Sequence, residues 1–289
     1  MTATAARGGA PPAVQSLARE RLHAALRSAT LLIGLAILAF WSLCALFGAR
    51  LAPQDPYADN LLATLAAPSA AHWFGTDQLG RDIFSRVIMG ARDILIVAPL
   101  ATLLGTVAGT ALGLCVGYFK GALDDVVSRI IEALQALPLV IVALLALAAV
   151  GTSNATVVLV IGFVFTPLIA RTIRAAVLVE SDMDYVAAAR LRGDGPLAIM
   201  FIEILPNVLP IAAVEMTVRL GYAIFFVASL SFIGFGIQPP SADWGIAIAE
   251  NYSLIGSYWW TVLFDAAATA SLVIGVNLVT DGLQSVFDP

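Results

Sequence analysis

Charge is what this chain has least of: 12% of its 289 residues are Asp, Glu, Lys or Arg, against roughly 25% in soluble domains. Lysine occurs once, as Lys120, and no cluster of basic residues forms the footprint that nucleic acid requires. Two histidines, His23 and His72, and two cysteines, Cys44 and Cys115, are too few and too scattered for a metal-ligand set or a disulfide framework. H-E-x-x-H, G-x-S-x-G and a Gly-rich Walker loop are all missing. These absences exclude nucleic-acid binding and leave no catalytic residue, metal or bound cofactor to assign. Both cysteines sit in apolar runs and read as small core fillers.

What is abundant is hydrocarbon. Hydrophobic residues make up 60% of the chain and the mean hydropathy is +0.92, so lipid is the solvent for most of it. Apolar segments at about 30–47, 94–117, 130–150, 155–177, 208–235 and 259–280 predict an all-α integral membrane protein of six spans. The first run is too long for the core of a signal peptide and reads as an uncleaved anchor. The organisation expected is a tail at 1–28, a first span with an external amphipathic segment at 29–93, and a transmembrane domain at 94–285 with a loop at 178–206.

Orientation follows from the arginines. Arg7, Arg19, Arg21 and Arg27 in the tail share a side with Lys120, Arg129, Arg171, Arg174, Arg190 and Arg192, which the positive-inside rule assigns to the cytoplasm. Trp73, Trp244, Tyr258, Trp259 and Trp260 then fall at the external boundary, as an aromatic belt. Gly105, Gly109, Gly113 and Gly117 form a stripe of bare backbone along the second span, a surface for close helix packing. Between the first two spans, Leu79, Ile83, Phe84, Val87 and Ile88 recur at helical spacing opposite Arg81, Asp82, Ser85 and Arg86. This pattern predicts an amphipathic helix in the outer interface, with Asp82 and Arg86 spaced to pair.

Ionisable groups at membrane depth need a partner or a task. Glu215 and Arg219, four residues apart in the fifth span, are either a neutralising structural pair or part of a polar pathway. Asp265 in the outer part of the sixth span has no cation near it in sequence; water at a vestibule or a substrate amine could face it. Glu132, next to Arg129 at a helix end, has a structural role.

The loop YVAAARLRGDGPLAIMFIEILPN, residues 185–207, breaks this greasy pattern. Ser181 and Asp182 are N-cap candidates, Asp184 suits the first turn, and Gly193 suits the C′ position. The result is a helix of about ten residues, too short and too charged to span. Its small side chains fit a partner's groove or an ordinary interfacial loop equally well.

The same stretch resembles the cytoplasmic coupling loop of ABC importer permeases, in which E-A-A is followed by three residues, G, nine residues and I-x-L-P. Ala187, Ala188 and Ala189 align with E-A-A, Gly193 with the glycine, and Leu205 and Pro206 with the ending. Tyr185 precedes the motif. Ala187 stands where the family has Glu, and Glu203 where it has Ile or His. FGTDQLGRDIFSRVIMGAR, with Gly75, Asp77, Gly80, Arg81, Asp82 and Arg86, is similar to the external segment of the dipeptide, oligopeptide and nickel branch. LSFIGFGIQPPSADWG and NLVTDGLQSVFDP extend the likeness toward the C-terminus. Asp265 departs again, from a position commonly proline.

The resemblance implies a type I ABC importer permease fold and the role of second permease subunit. It implies a homologous permease as heterodimer partner, two cytoplasmic ATPases that use ATP and Mg, an external solute-binding protein, and the inner membrane of a bacterium, with the N-terminus cytoplasmic. Peptide is the expected solute; nickel or another small solute is the alternative within the branch. An ion-coupled secondary transporter using Glu215, Arg219 or Asp265 is the alternative outside it.

Overall fold

A computed structural model describes residues 28–287; the expected tail at 1–28 lies outside them except for Ser28. Among the described residues there is no β-strand, and the elements are helices whose ends are written in the sequence. Helix α1, Ala29–Leu51, starts where the Ser28 hydroxyl accepts the Leu31 N–H. Helix α2, Ile83–Phe119, starts at Asp82 in the same way, with Ser85 N as donor. It runs 37 residues, about 55 Å at 1.5 Å per residue. Lys120 and Gly121, both at positive φ, turn the chain out of α2 into α3, Gly121–Gln135, which meets α4, Leu139–Val150, at a 90° bend. Helices α5, Asn154–Glu180, and α6, Asp184–Arg192, follow. Helix α7, Pro196–Ile233, contains a π turn at Ile199–Ile204. A short α8, Trp244–Asn251, precedes α9, Trp260–Phe287.

Five of these helices are long and apolar enough to cross a membrane, and α3 with α4 makes a sixth if the bent pair counts as one span. The uninterrupted span expected at 130–150 is therefore corrected. Pro138 cannot donate a backbone hydrogen bond and disfavours α geometry in the residue before it, so the helix stops and restarts there. The separate amphipathic helix expected in the outer interface is also corrected. Residues 83–93 are the first turns of α2 itself, so the boundary expected at residue 93 falls inside a continuous helix.

The glycine stripe does what its spacing predicts. A Cβ on Gly109 would lie 2.7 Å from the Ile169 Cβ, and one on Gly113 would lie 2.8 Å from the Ala170 carbonyl oxygen. Helices α2 and α5 therefore touch through backbone along about three turns, the most extensive pairing among the described residues. Ile94, Ile161, Ile169, Ile173 and Ile224 fill the centre without solvent exposure, while Val107, Leu159, Phe163 and Phe225 point outward from their helices. An apolar exterior around an apolar core is the arrangement a bilayer requires.

The helices alternate in direction and give the bundle two ends. Ala29, Phe119, Glu180 and Pro196 share one; Leu51, Ile83, Asn154, Ile233 and Trp260 share the other. The aromatic belt is only partly as expected. Trp73 and Trp259 are exposed, but Trp244 is fully buried, with its indole N–H donated to the Val87 carbonyl at 2.9 Å and its ring edge-on to Trp41.

Candidate functional site

At the end bearing Glu180 and Pro196, α6 stands out from the bundle as a single short helix. Met183 rather than Ser181 or Asp182 occupies its N-cap: Ser181 closes α5, and Asp182 is held by Lys120 Nζ at 2.7 Å. Asp184 lies in the first turn and Gly193, at φ 85° and ψ 18°, supplies the left-handed C-terminal position. Val186 and Ala189 are fully buried against the bundle, whereas Ala187, Ala188 and Leu191 are exposed, Leu191 by 90%. Side chains three and four apart share a helix face, so Met183, Ala187, Ala188 and Leu191 present one small-residue, apolar strip to the outside.

Both ends of α6 are tied down. The Tyr185 hydroxyl donates to Glu180 Oε2 at 2.6 Å and accepts from Asn207 Nδ2 at 3.0 Å. Burial pushes the Tyr185 phenol up, and its bond to the Glu180 carboxylate adds to the shift. Arg192 donates to Asp194 at 2.7 Å and to Glu203 at 2.6 Å, and these two carboxylates hold its pKa above the usual value. Glu203, a departure from the family pattern, thus has an ion-pair partner within the motif. Leu205 and Pro206 begin the regular part of α7 directly after the π turn.

The opposite end holds an enclosed ionic knot that joins residues far apart in sequence. Asp77 accepts the Leu79 and Arg81 backbone N–H groups at 2.9 and 3.0 Å and the Arg81 Nε at 2.6 Å. Arg81 reaches on to Glu250 at 2.5 Å. Burial works against the Arg81 charge, but Asp77 and Glu250 outweigh it and hold its pKa above the usual value. Arg86, 2% exposed, lies 3.9 Å from both of those carboxylates and donates to the Pro56 carbonyl at 3.2 Å. The expected Asp82–Arg86 pair does not form. Asp82 spends its oxygens on Ser85 N, Ser85 Oγ and His72 Nδ1, at 2.9, 2.7 and 3.0 Å. Gly75 and Gly80 sit at positive φ in the turns that wrap this knot, where a side chain would strike Ala66 or Asn60.

Asp265 belongs here too. It is 2% exposed and within electrostatic reach of Arg86, on a helix 179 positions earlier in the chain, but its Oδ1 has no hydrogen-bond partner. Asp243 caps α8 through Ile246 N at 3.0 Å and is fully buried; burial, with Asp93 nearby, raises its pKa to about 6. Glu215 and Arg219 form the i,i+4 pair, at 2.8 and 2.5 Å, on the partly exposed middle of α7. The three candidate pathway residues are therefore not brought together: two share a helix face and Asp265 lies beside the ionic knot. Sequence reasoning missed Glu250, Asp243 and Asn207; their signal was only an acid or amide beside an apolar run.

Residues 109–289 match the family described as binding-protein-dependent transport system inner membrane components. The chain belongs to that family. It is 35% identical to a dipeptide transport system permease protein of Alkalihalophilus pseudofirmus, over 94% of this chain and 89% of that one. It is also 35% identical to a probable D,D-dipeptide permease of Escherichia coli, covering 88% and 85% of the two chains. A glutathione transport system permease of Pectobacterium atrosepticum is 35% identical as well, over 93% and 88%. This multi-pass membrane protein is thus a permease component of a transport system, and its role is transport rather than catalysis.

Proposed function

We propose that this chain is one permease subunit of an ATP-driven peptide importer in the bacterial cytoplasmic membrane, with the α6 end in the cytoplasm. A homologous permease completes the pathway, two ATPase subunits that use ATP and Mg dock at the α6 end, and an external solute-binding protein delivers at the other. The observation that carries this reading is the outward strip Met183, Ala187, Ala188 and Leu191 on a helix that cannot span a membrane. Small side chains let a partner's groove close on the helix backbone, and large apolar residues such as Leu191 are otherwise costly to leave in water. Ten of the fifteen basic residues lie on the proposed cytoplasmic side. The permeases that the chain is similar to are named for dipeptides and, in one case, glutathione, which makes a short peptide the favoured solute.

In this reading the binding of ATP biases the ATPases toward one arrangement, and α6 passes that bias to spans that alternate between two states. Replacing Ala188 with Glu and Gly193 with Asp should abolish co-purification with the ATPase subunits and uptake of radiolabelled dialanine. Retention of both would sink the docking assignment.

A further inference from the structure

The way α6 is held indicates which span receives its movement. A helix of nine residues has little stability of its own, so its position is set by its attachments. Its buried face packs chiefly on the π turn at Ile199–Ile204, with Val186, Ala189, Ile199 and Ile204 in one core. Two polar tethers reinforce this. Arg192 at the C-terminal end reaches Glu203, and Tyr185 at the other end reaches Asn207. Asn207 in turn donates to the Glu203 carbonyl at 3.0 Å, so residues four apart on one face of α7 hold both ends of α6.

The backbone around these tethers is irregular. In the π turn the Leu205 N–H donates to the Met200 carbonyl, five residues back. Pro206 and Pro210 bring no N–H to the next two turns. A segment short of backbone hydrogen bonds can change its bend at lower cost than the continuous helix of α5, which reaches α6 through the Tyr185–Glu180 bond.

We propose that Glu203 and Asn207 are positioning residues that carry displacement of the docked α6 into α7, bending it between Ile199 and Pro210. The proposal rests on the reading of α6 as the ATPase dock. Its test uses the full chain assembled with its partner permease and ATPases in proteoliposomes, with dialanine as probe and dialanine moved per ATP hydrolysed as the readout. Glu203→Arg and Arg192→Glu should each lower that ratio about fivefold or more, and Glu203→Gln by less. The charge-swapped double variant should return to within about twofold of the native ratio.

Singles that leave the ratio unchanged, or a swap no better than its singles, would overturn the tether. A cysteine at Ala188, cross-linked to the ATPase, separates the two readings. No cross-link in the otherwise native complex defeats the docking role itself. A cross-link with an unchanged ratio in Glu203→Arg defeats the tether alone. Loss of the cross-link in Glu203→Arg would make Glu203 part of the dock and also overturn the tether.

Discussion

The two ends of the bundle spend their charges in opposite ways. At the end bearing Asn154 and Trp260, Asp77, Arg81, Arg86 and Asp265 are enclosed, and Glu250 is mostly covered. At the α6 end Lys120, Asp182, Arg192 and Asp194 form pairs largely open to solvent. Exposed pairs contribute about 0–1 kcal/mol, whereas breaking an enclosed one leaves a bare charge in a poor solvent at about 3–5 kcal/mol. One end is therefore locked by its ions, and the other, apart from the covered Asp124–Arg174 pair, presents its ions to solvent.

The contrast can be broken most severely at Arg86. Arg86→Leu should destabilise the protein by about 3–5 kcal/mol, read as a large fall in thermal unfolding temperature in detergent, with Asp77 and Glu250 left to Arg81 alone. The next effect is one of pH. Asp243 has its pKa raised from 3.8 to about 6, so the folded protein holds a proton that the unfolded chain releases. Stability therefore rises as pH falls through about 6 and levels off below about 4, a gain of about 3 kcal/mol relative to pH 7. Asp243→Asn keeps the cap and should flatten this pH dependence in the same melting assay; an unaltered slope would remove the assignment.

Gly109→Val should cost about 1–3 kcal/mol by forcing α2 from α5, measured as reduced folded yield and melting temperature. The smallest stability effect belongs to the exposed end. Ala188→Glu should shift unfolding by no more than about 0.5 kcal/mol, yet it should eliminate ATPase co-purification. A variant that did the reverse would undo the comparison between the ends.

Much of this architecture was legible from hydropathy, glycine spacing and caps, because those signals are local. The C-terminal bound of α6 follows from Gly193, though its start lies at Met183 and not at the Ser181 or Asp182 expected, and the α2–α5 contact follows from four glycines at a four-residue spacing. The bend at Pro138 was not legible: a leucine-rich run looks alike on both sides of a kink, and Pro99, Pro167 and Pro210 sit inside helices without stopping them. The burial of Trp244 and the partner of Asp265 were hidden for another reason. Each depends on α2 arriving beside a segment more than 150 positions later in the chain, which no window of sequence contains.

The glycine seam between α2 and α5 has a mechanical consequence. Two helices joined backbone to backbone over about three turns behave as one beam, since sliding them would drive Ile169 or Val177 into the opposite main chain. Any rearrangement of the bundle therefore has to carry α2 and α5 together.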